Sequence, residues 1–418
     1  MLIAYREFTP VLAAPFDLAP TAAVIGRTKA GPRLTLRAYA TVRADGESIR
    51  IGANACFGAR ATVHIADSEL GAVVGDDLTV GRYGIVHACT VGDGVVVADA
   101  AAVMDAAVIG PHALIAPAAI VPPRKALTGG FVYEGNPAKA TRAIAGDELA
   151  AAAAALRRGE PVPGFAPVAL PPLDAASSLV PPDRGAGPLY SRAGRAPRIG
   201  RAYVAPTSAL VGDVTLADDA GVYFGCVLDA GDARIVLGAC SNIQDNSLLL
   251  TDSVRGDLVI GERVTFGHNV RMSSGEIGDD ALVGMMAIVG EHVVVERGGC
   301  IAAGAWVEPG TVVRAGWIWA GRPARAFREV KPKEREIFAR LFRHVRQPDL
   351  YVRRRIAEMR AGQGGGAVGV SFRDRAQDLR VFGPDRLAVL TVLQHFAHRA
   401  PQMVPQLTHR FDVESVPR

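Results

Sequence analysis

The sequence predicts a mainly β protein: two tandem parallel β-helices plus an α-helical C-terminal extension. Three observations carry this. Aliphatic residues recur every six positions, the whole pattern recurs at an offset of 186 residues, and helical spacing replaces it after Arg328. A helix needs a period of 3.6 and a strand a period of 2, so a period of six is neither alone. It fits three strand-length steps, each closed by a turn, stacked as a triangular coil that buries its edge only against its neighbours.

The first β-helix is placed at residues 1–145. Its aliphatic positions are Ile51, Phe57, Val63, Val74, Val80 and Val86, then a five-residue step to Val91, then Val97, Val103, Ile109, Ile115 and Val121. Many are followed by Gly, which suits a tight corner. Residues 146–196 form the join. "GDELAAAAAALRRGE", Gly146 to Glu160, is Ala-rich with an acidic start and a basic end, as a short helix prefers. A Pro-rich extended linker follows. It is long enough for the two β-helices to lie side by side or end to end. The second β-helix is placed at 197–327, where Leu237, Phe266 and Val283 stand 186 residues beyond Ile51, Val80 and Val97. "GNPAK" at Gly135 and "GRPAR" at Gly321 keep the same offset, as does the five-residue step, here ending at Ile277. These shared irregularities mark a tandem duplication, because the six-residue rule does not require them. Residues 328–418 are basic and mostly helical in pattern, with Ile337, Phe338, Leu341, Phe342 and Val345 on one face.

Composition narrows the function classes. Hydrophobic residues make up 49% but aromatics only 6%, which suits thin regular layers. The five cysteines include no C-x-x-C pair and fit a reducing compartment. No run approaches the ~18 apolar residues of a membrane span, and the N-terminus lacks a signal-like stretch, so a cytoplasmic protein is expected. The net charge is +4, with its excess in the Arg-rich extension. That extension is either a solvated helical face or a seat for an acidic partner. No phosphate-cradling or dinucleotide loop occurs, and nothing points to nucleic acid.

Candidate metal ligands are distributed unevenly. "LTVGRYGIVHAC" offers His87, while its counterpart "VTFGHNVRMSSG" offers His268 at a different place. "NIQDNSLLL", "TFGHNVRM", "IGDDALVGMMAIV" and the two exit motifs resemble the hexapeptide-repeat left-handed β-helices, and within them the gamma-class carbonic anhydrases. In that family the site lies between neighbouring prisms of a trimer, with two histidines from one prism and the third from the next.

Carried over position by position, the resemblance gives His64, Arg82 and His87 in the first repeat. In the second it gives Leu250, His268 and Ser273. Each ligand position holds a histidine in one repeat only. The family's Arg-x-Asp element is Arg43 and Asp45 in the first repeat, against Asp229 and Gly231. Its Asn, Gln and Asp are Asn242, Gln244 and Asp245 in the second, against Cys56, Gly58 and Ala59. The resemblance therefore implies one composite site, with His64, His87 and His268 holding Zn²⁺ or another divalent metal such as Fe²⁺ or Co²⁺. It implies CO₂ and bicarbonate as substrates and a homo-oligomer joined through β-helix flanks. Gln244 would orient substrate, with Asn242 beside it, and Arg43 would pair with Asp45 or Asp245 across the interface.

Two other readings stay open from the sequence. One is a non-catalytic scaffold that kept the prisms and lost the metal. The other is a CoA-dependent acyltransferase using His87 or His268 as general base. His112, His292, His344, His395, His398 and His409 are expected at the surface or in packing contacts.

Overall fold

The structure is a computed structural model that describes residues 1–66, 70–170 and 188–336. Among these residues the chain is mainly β, in two hexapeptide-repeat solenoids of short parallel strands. Each strand pairs with the strand one coil before and one coil after: Thr62–His64 and Ala102–Val103 flank Ile85–His87 in register. In the first solenoid the strand Thr41–Ile51 runs around a corner and pairs on two faces, so a 12-stranded sheet forms two walls and an 8-stranded sheet the third. The second solenoid has three separate walls of seven, seven and eight strands.

The six-residue aliphatic positions do form the two interior cores. Ile51, Val63, Val74, Val80, Val91, Val103, Ile109 and Val121 are buried in one, and Leu237, Phe266, Ile277 and Val283 in the other.

The glycine that follows many of these aliphatics stands where a side chain would crowd the backbone, as expected, and the crowding comes from the next coil. Left-handed backbone occurs two residues later, often at non-glycine residues such as Arg60 (φ 59°), Tyr83 (φ 57°) and Ala100 (φ 53°). The glycine itself is required by close stacking. A Cβ on Gly81 would lie 2.6 Å from the backbone nitrogen of Asp99 in the next coil.

The expected helix after the first solenoid is present as Gly146–Arg158, with Asp147 and Glu148 in its first turn and Arg157 and Arg158 in its last. Arg157 anchors it to the solenoid by donating to the Asn54 carbonyl at 2.7 Å and to Thr79 Oγ1 at 3.0 Å. The entry to this helix recurs at the same offset in the second repeat. Arg142 pairs with Glu148 and Arg328 with Glu334, while Ile144 N donates to Gly130 O and Val330 N to Gly316 O. Residues 332–336 are helical. The expected apolar face from Ile337 to Val345, the rest of the extension, and His344, His395, His398 and His409 lie outside the described residues. His112 and His292 are exposed, as expected.

Of the two arrangements the linker permits, the structure has the solenoids side by side, parallel and in register. Asn246 Nδ2 donates to Thr62 Oγ1 at 3.0 Å, and Asn269 Nδ2 donates to the Tyr83 carbonyl at 2.8 Å. Arg60, fully buried, donates to the Gly225 carbonyl at 2.6 Å and packs its guanidinium over Tyr39. Two apolar clusters bridge the flanks. Ile3, Tyr5, Ala23 and Ile25 meet Tyr203, Tyr223 and Phe224 at one end, and Ile85, Met104 and Ile120 meet Met286 towards the other.

Candidate metal centre

Between those two apolar clusters the flanks carry polar side chains. His64 ends the strand Thr62–His64 and His87 ends Ile85–His87, directly beside it in register. His268 stands in the turn after Thr265–Phe266 of the second solenoid. The parallel, in-register contact brings all three together: the facing ring nitrogens lie within 4.8 Å of one another. His64 Nδ1 is 3.1 Å from His87 Nε2 and 3.1 Å from His268 Nε2.

Each ring turns its other nitrogen to a carboxylate one coil away. His64 Nε2 faces Asp45 Oδ1 at 3.0 Å, His87 Nδ1 faces Asp105 Oδ1, and His268 Nδ1 lies 3.2 Å from Asp245 Oδ2. The last contact is within ion-pair reach but not aligned as a hydrogen bond, and Arg43 Nε donates to the same oxygen at 3.0 Å. A carboxylate accepts, so the ring N–H of His64 and of His87 points at it, and that of His268 lies on the Asp245 side. A neutral imidazole has one donor and one acceptor, which leaves the inward nitrogens as lone pairs. Three such lone pairs converge on one point, where a cation can sit between them. The residues present therefore fit a metal ion, and carboxylate–histidine pairs are the usual way such ligands are oriented.

Electrostatics agree. Burial drives the His64 imidazole down to about 3, with Arg43 adding to the effect and Asp45 opposing it. Burial takes His268 down to about 4 against the pull of Asp245. Burial alone would raise the Asp245 carboxyl; Arg43 and His268 more than reverse it and hold it at about 2. Asp45 is likewise held well below the carboxylate range by Arg43 and His64 despite its burial. Arg43 completes the frame by bonding across the interface. It pairs with Asp45 and with Asp245, and donates Nη2–H to Gln244 Oε1 at 2.5 Å. Its guanidinium lies 4.4 Å from the centre of the Tyr223 ring. Gln244 Nε2 donates to Asn242 Oδ1 at 2.8 Å, and Asn242 Nδ2 donates to Thr265 Oγ1 at 2.8 Å.

All eight site residues read from the sequence thus converge. Arg43 pairs with both aspartates rather than one of them. Sequence reading missed Asp105 and Tyr223. Asp105 stands 18 residues beyond His87, three hexads or one coil. An acidic residue at that spacing was the available signal.

Comparison with known proteins decides the family. A carbonic anhydrase of Geobacillus kaustophilus is 31% identical over 143 residues, 34% of this chain and 78% of that protein. The chain belongs to the gamma carbonic anhydrase-like family of hexapeptide-repeat β-helices. Gamma carbonic anhydrase 1, mitochondrial, of Arabidopsis thaliana is 36% identical over 138 residues, 32% of this chain, and the chain spans half the length of that relative. The carnitine operon protein CaiE of Escherichia coli K12 is 34% identical over 137 residues, 32% of this chain and 67% of that protein. Among solved structures, a hexapeptide transferase family protein of Anaplasma phagocytophilum matches at 33% identity and a TM-score of 0.37, covering 39% of this chain and 97% of that one. No protein-family model matches the chain. No helix among the described residues is long and apolar enough to cross a membrane.

Proposed function

We propose that this gamma carbonic anhydrase-like chain catalyses reversible hydration of CO₂ at one divalent metal site, assembled within a single chain from both solenoids. One observation carries the reading: three inward imidazole nitrogens, two from one flank and one from the other, with each ring backed by a carboxylate. His64, His87 and His268 would hold Zn²⁺, Fe²⁺ or Co²⁺. Such an ion, when bound, acidifies a coordinated water towards a pKa of ~7 and supplies the nucleophile at neutral pH.

The other residues shape and dry the site. Gln244 is fixed by Arg43 on its oxygen and by Asn242 on one amide hydrogen. Its second amide hydrogen is the donor that can orient a CO₂ or bicarbonate oxygen. The apolar clusters on either side exclude bulk water, which strengthens every charge interaction inside. The side chain of His64 is 13% exposed, against 7% for His87 and 3% for His268, so substrate and the released proton reach solvent on the His64 side.

Metal content by elemental analysis, paired with stopped-flow CO₂ hydration, tests the reading. One divalent ion per chain and turnover above buffer are expected, both lost in His268→Ala. Metal-free protein after growth and refolding in Zn²⁺, Fe²⁺ and Co²⁺ would reject it and favour the scaffold.

A second reading rests on the apolar groove between the solenoids, which Met104, Ile120 and Pro122 line on one side and Leu282, Cys300 and Ile318 on the other. It begins one coil from His87 and could seat the thioester arm of an acyl donor. Thioester consumption by purified protein would favour acyl transfer.

A further inference from the structure

Of the three carboxylates behind the histidines, two are shared with Arg43 and one is not. Asp45 and Asp245 both pair with that guanidinium, and so tie the two solenoids together as well as holding a ring. Asp105 is buried, lies in the same solenoid as His87, and has no Arg or Lys pairing among the described residues. A buried carboxylate without a cationic partner is costly unless something nearby supplies positive charge. Around the cluster, Asp45, Asp105 and Asp245 against Arg43 leave two negative charges uncompensated, which one divalent cation balances.

The second repeat supports a specific link between Asp105 and His87. At the counterpart of His87 stands Ser273, and at the counterpart of Asp105 stands Glu291, whose side chain is 45% exposed and pairs with Arg255. Where the histidine is absent, the acid has turned to the surface.

We propose that Asp105 is a positioning residue for the metal centre. It fixes His87 as the Nδ1–H tautomer with Nε2 inward, and it supplies the negative charge that matches the site to a divalent cation. The inference rests on the metal-centre reading above, but its first test needs no metal. In ¹⁵N-detected imidazole spectra of the full-length apo-protein, with His87 assigned by His87→Gln, His87 is expected as the Nδ1–H tautomer. His64, whose carboxylate sits at Nε2, is expected as the opposite tautomer. Nε2–H at His87 would overturn the proposal whatever the protein's activity.

The second test is Co²⁺ titration of wild type, Asp105→Asn and Asp105→Glu, read by d–d absorption and chelator competition. Asp105→Asn is expected to weaken Co²⁺ binding by about 10–100-fold, with Asp105→Glu recovering part of the loss. Wild-type affinity and an unchanged spectrum in a folded Asp105→Asn protein would reduce Asp105 to a packing residue. If wild type binds no Co²⁺ while His87 still shows Nδ1–H, the metal-centre reading fails and the tautomer assignment stands alone.

Discussion

The two solenoids share a scaffold and differ in what their flanks carry. The first presents His64 and His87 with Asp45, Asp105 and Arg43; the second presents His268 with Asn242, Gln244 and Asp245. At the counterpart positions, Leu250 and Ser273 cannot join a histidine cluster, and Arg82 instead grips Asp99 of its own solenoid. Asp45 and Asp245 have Gly231 and Ala59 at their counterpart positions, and the counterpart of Asp105, Glu291, pairs with Arg255 at the surface instead. Where a repeat lacks the histidine, the counterpart carboxylate is absent or turned away. The histidine cluster is complete only at the contact between one particular pair of flanks, and in neither solenoid alone.

The most damaging change to that division is to give the second flank the residue of the first. On the proposed function, His268→Arg is expected to abolish metal binding and reduce CO₂ hydration to the uncatalysed rate. Elemental analysis and stopped-flow assay measure this. Adding histidines at Leu250 and Ser273 should create no second site, because the matching third position in the first repeat is Arg82; a second equivalent of tightly bound metal would break the comparison.

Arg43→Met comes next. It leaves Asp45 and Asp245 buried without their cationic partner, which costs about 3–5 kcal/mol. Asp229 stands at the Arg43 counterpart and holds Arg192 at 2.6 Å, a partly exposed pair. Asp229→Asn is expected to cost only about 1 kcal/mol. Urea denaturation of the two variants compares a pairing across the interface with one inside a solenoid.

The pH response of the metal-free protein should be smaller. His64 and His268 are held neutral when folded, at about 3 and about 4, against 6.5 for the free imidazole. The unfolded chain takes up these protons first. Stability is therefore fully present above about pH 6.5 and is lost as pH falls from there towards 4. Below that, protonation of Asp245 and Asp45 continues the loss. His268→Gln should flatten the slope of Tm against pH between 6.5 and 4, and an unchanged slope would place the titrating groups elsewhere.

A last comparison isolates packing between the flanks. Gly304 and Gly298 have the same φ of 65°, but a Cβ on Gly304 would strike the Ile120 side chain of the first solenoid, whereas one on Gly298 meets nothing within 4 Å. Both Ala variants carry the same backbone cost. The extra loss in Gly304→Ala, on the order of 1–2 kcal/mol, reports the inter-solenoid contact alone.

The interior was legible because a coil buries one aliphatic per wall at a fixed period, so Val80 or Phe266 declares its place from spacing. The eight candidate site residues were legible through the family resemblance, and the repeat offset then showed each histidine standing opposite a gap in the other copy. Asp105 was not: its partner lies one coil away through the stack, and an acid in a hexad turn reads like any exposed turn residue. Tyr223 escaped for the same reason, its contact with Arg43 being made across the interface.

The sequence by itself determined two β-helices, their cores, and the division of the histidines between them, because hexad spacing and residue identity are properties of the chain read in order. Only the tertiary structure decided that the solenoids stand flank to flank in register, and that His64 meets His268 at 3.1 Å. A long Pro-rich join permits either arrangement. The choice was made by apolar patches, by Arg43 reaching two carboxylates, and by Arg60 and Asn269 finding carbonyls in the other solenoid, none of which is encoded by neighbours in the chain.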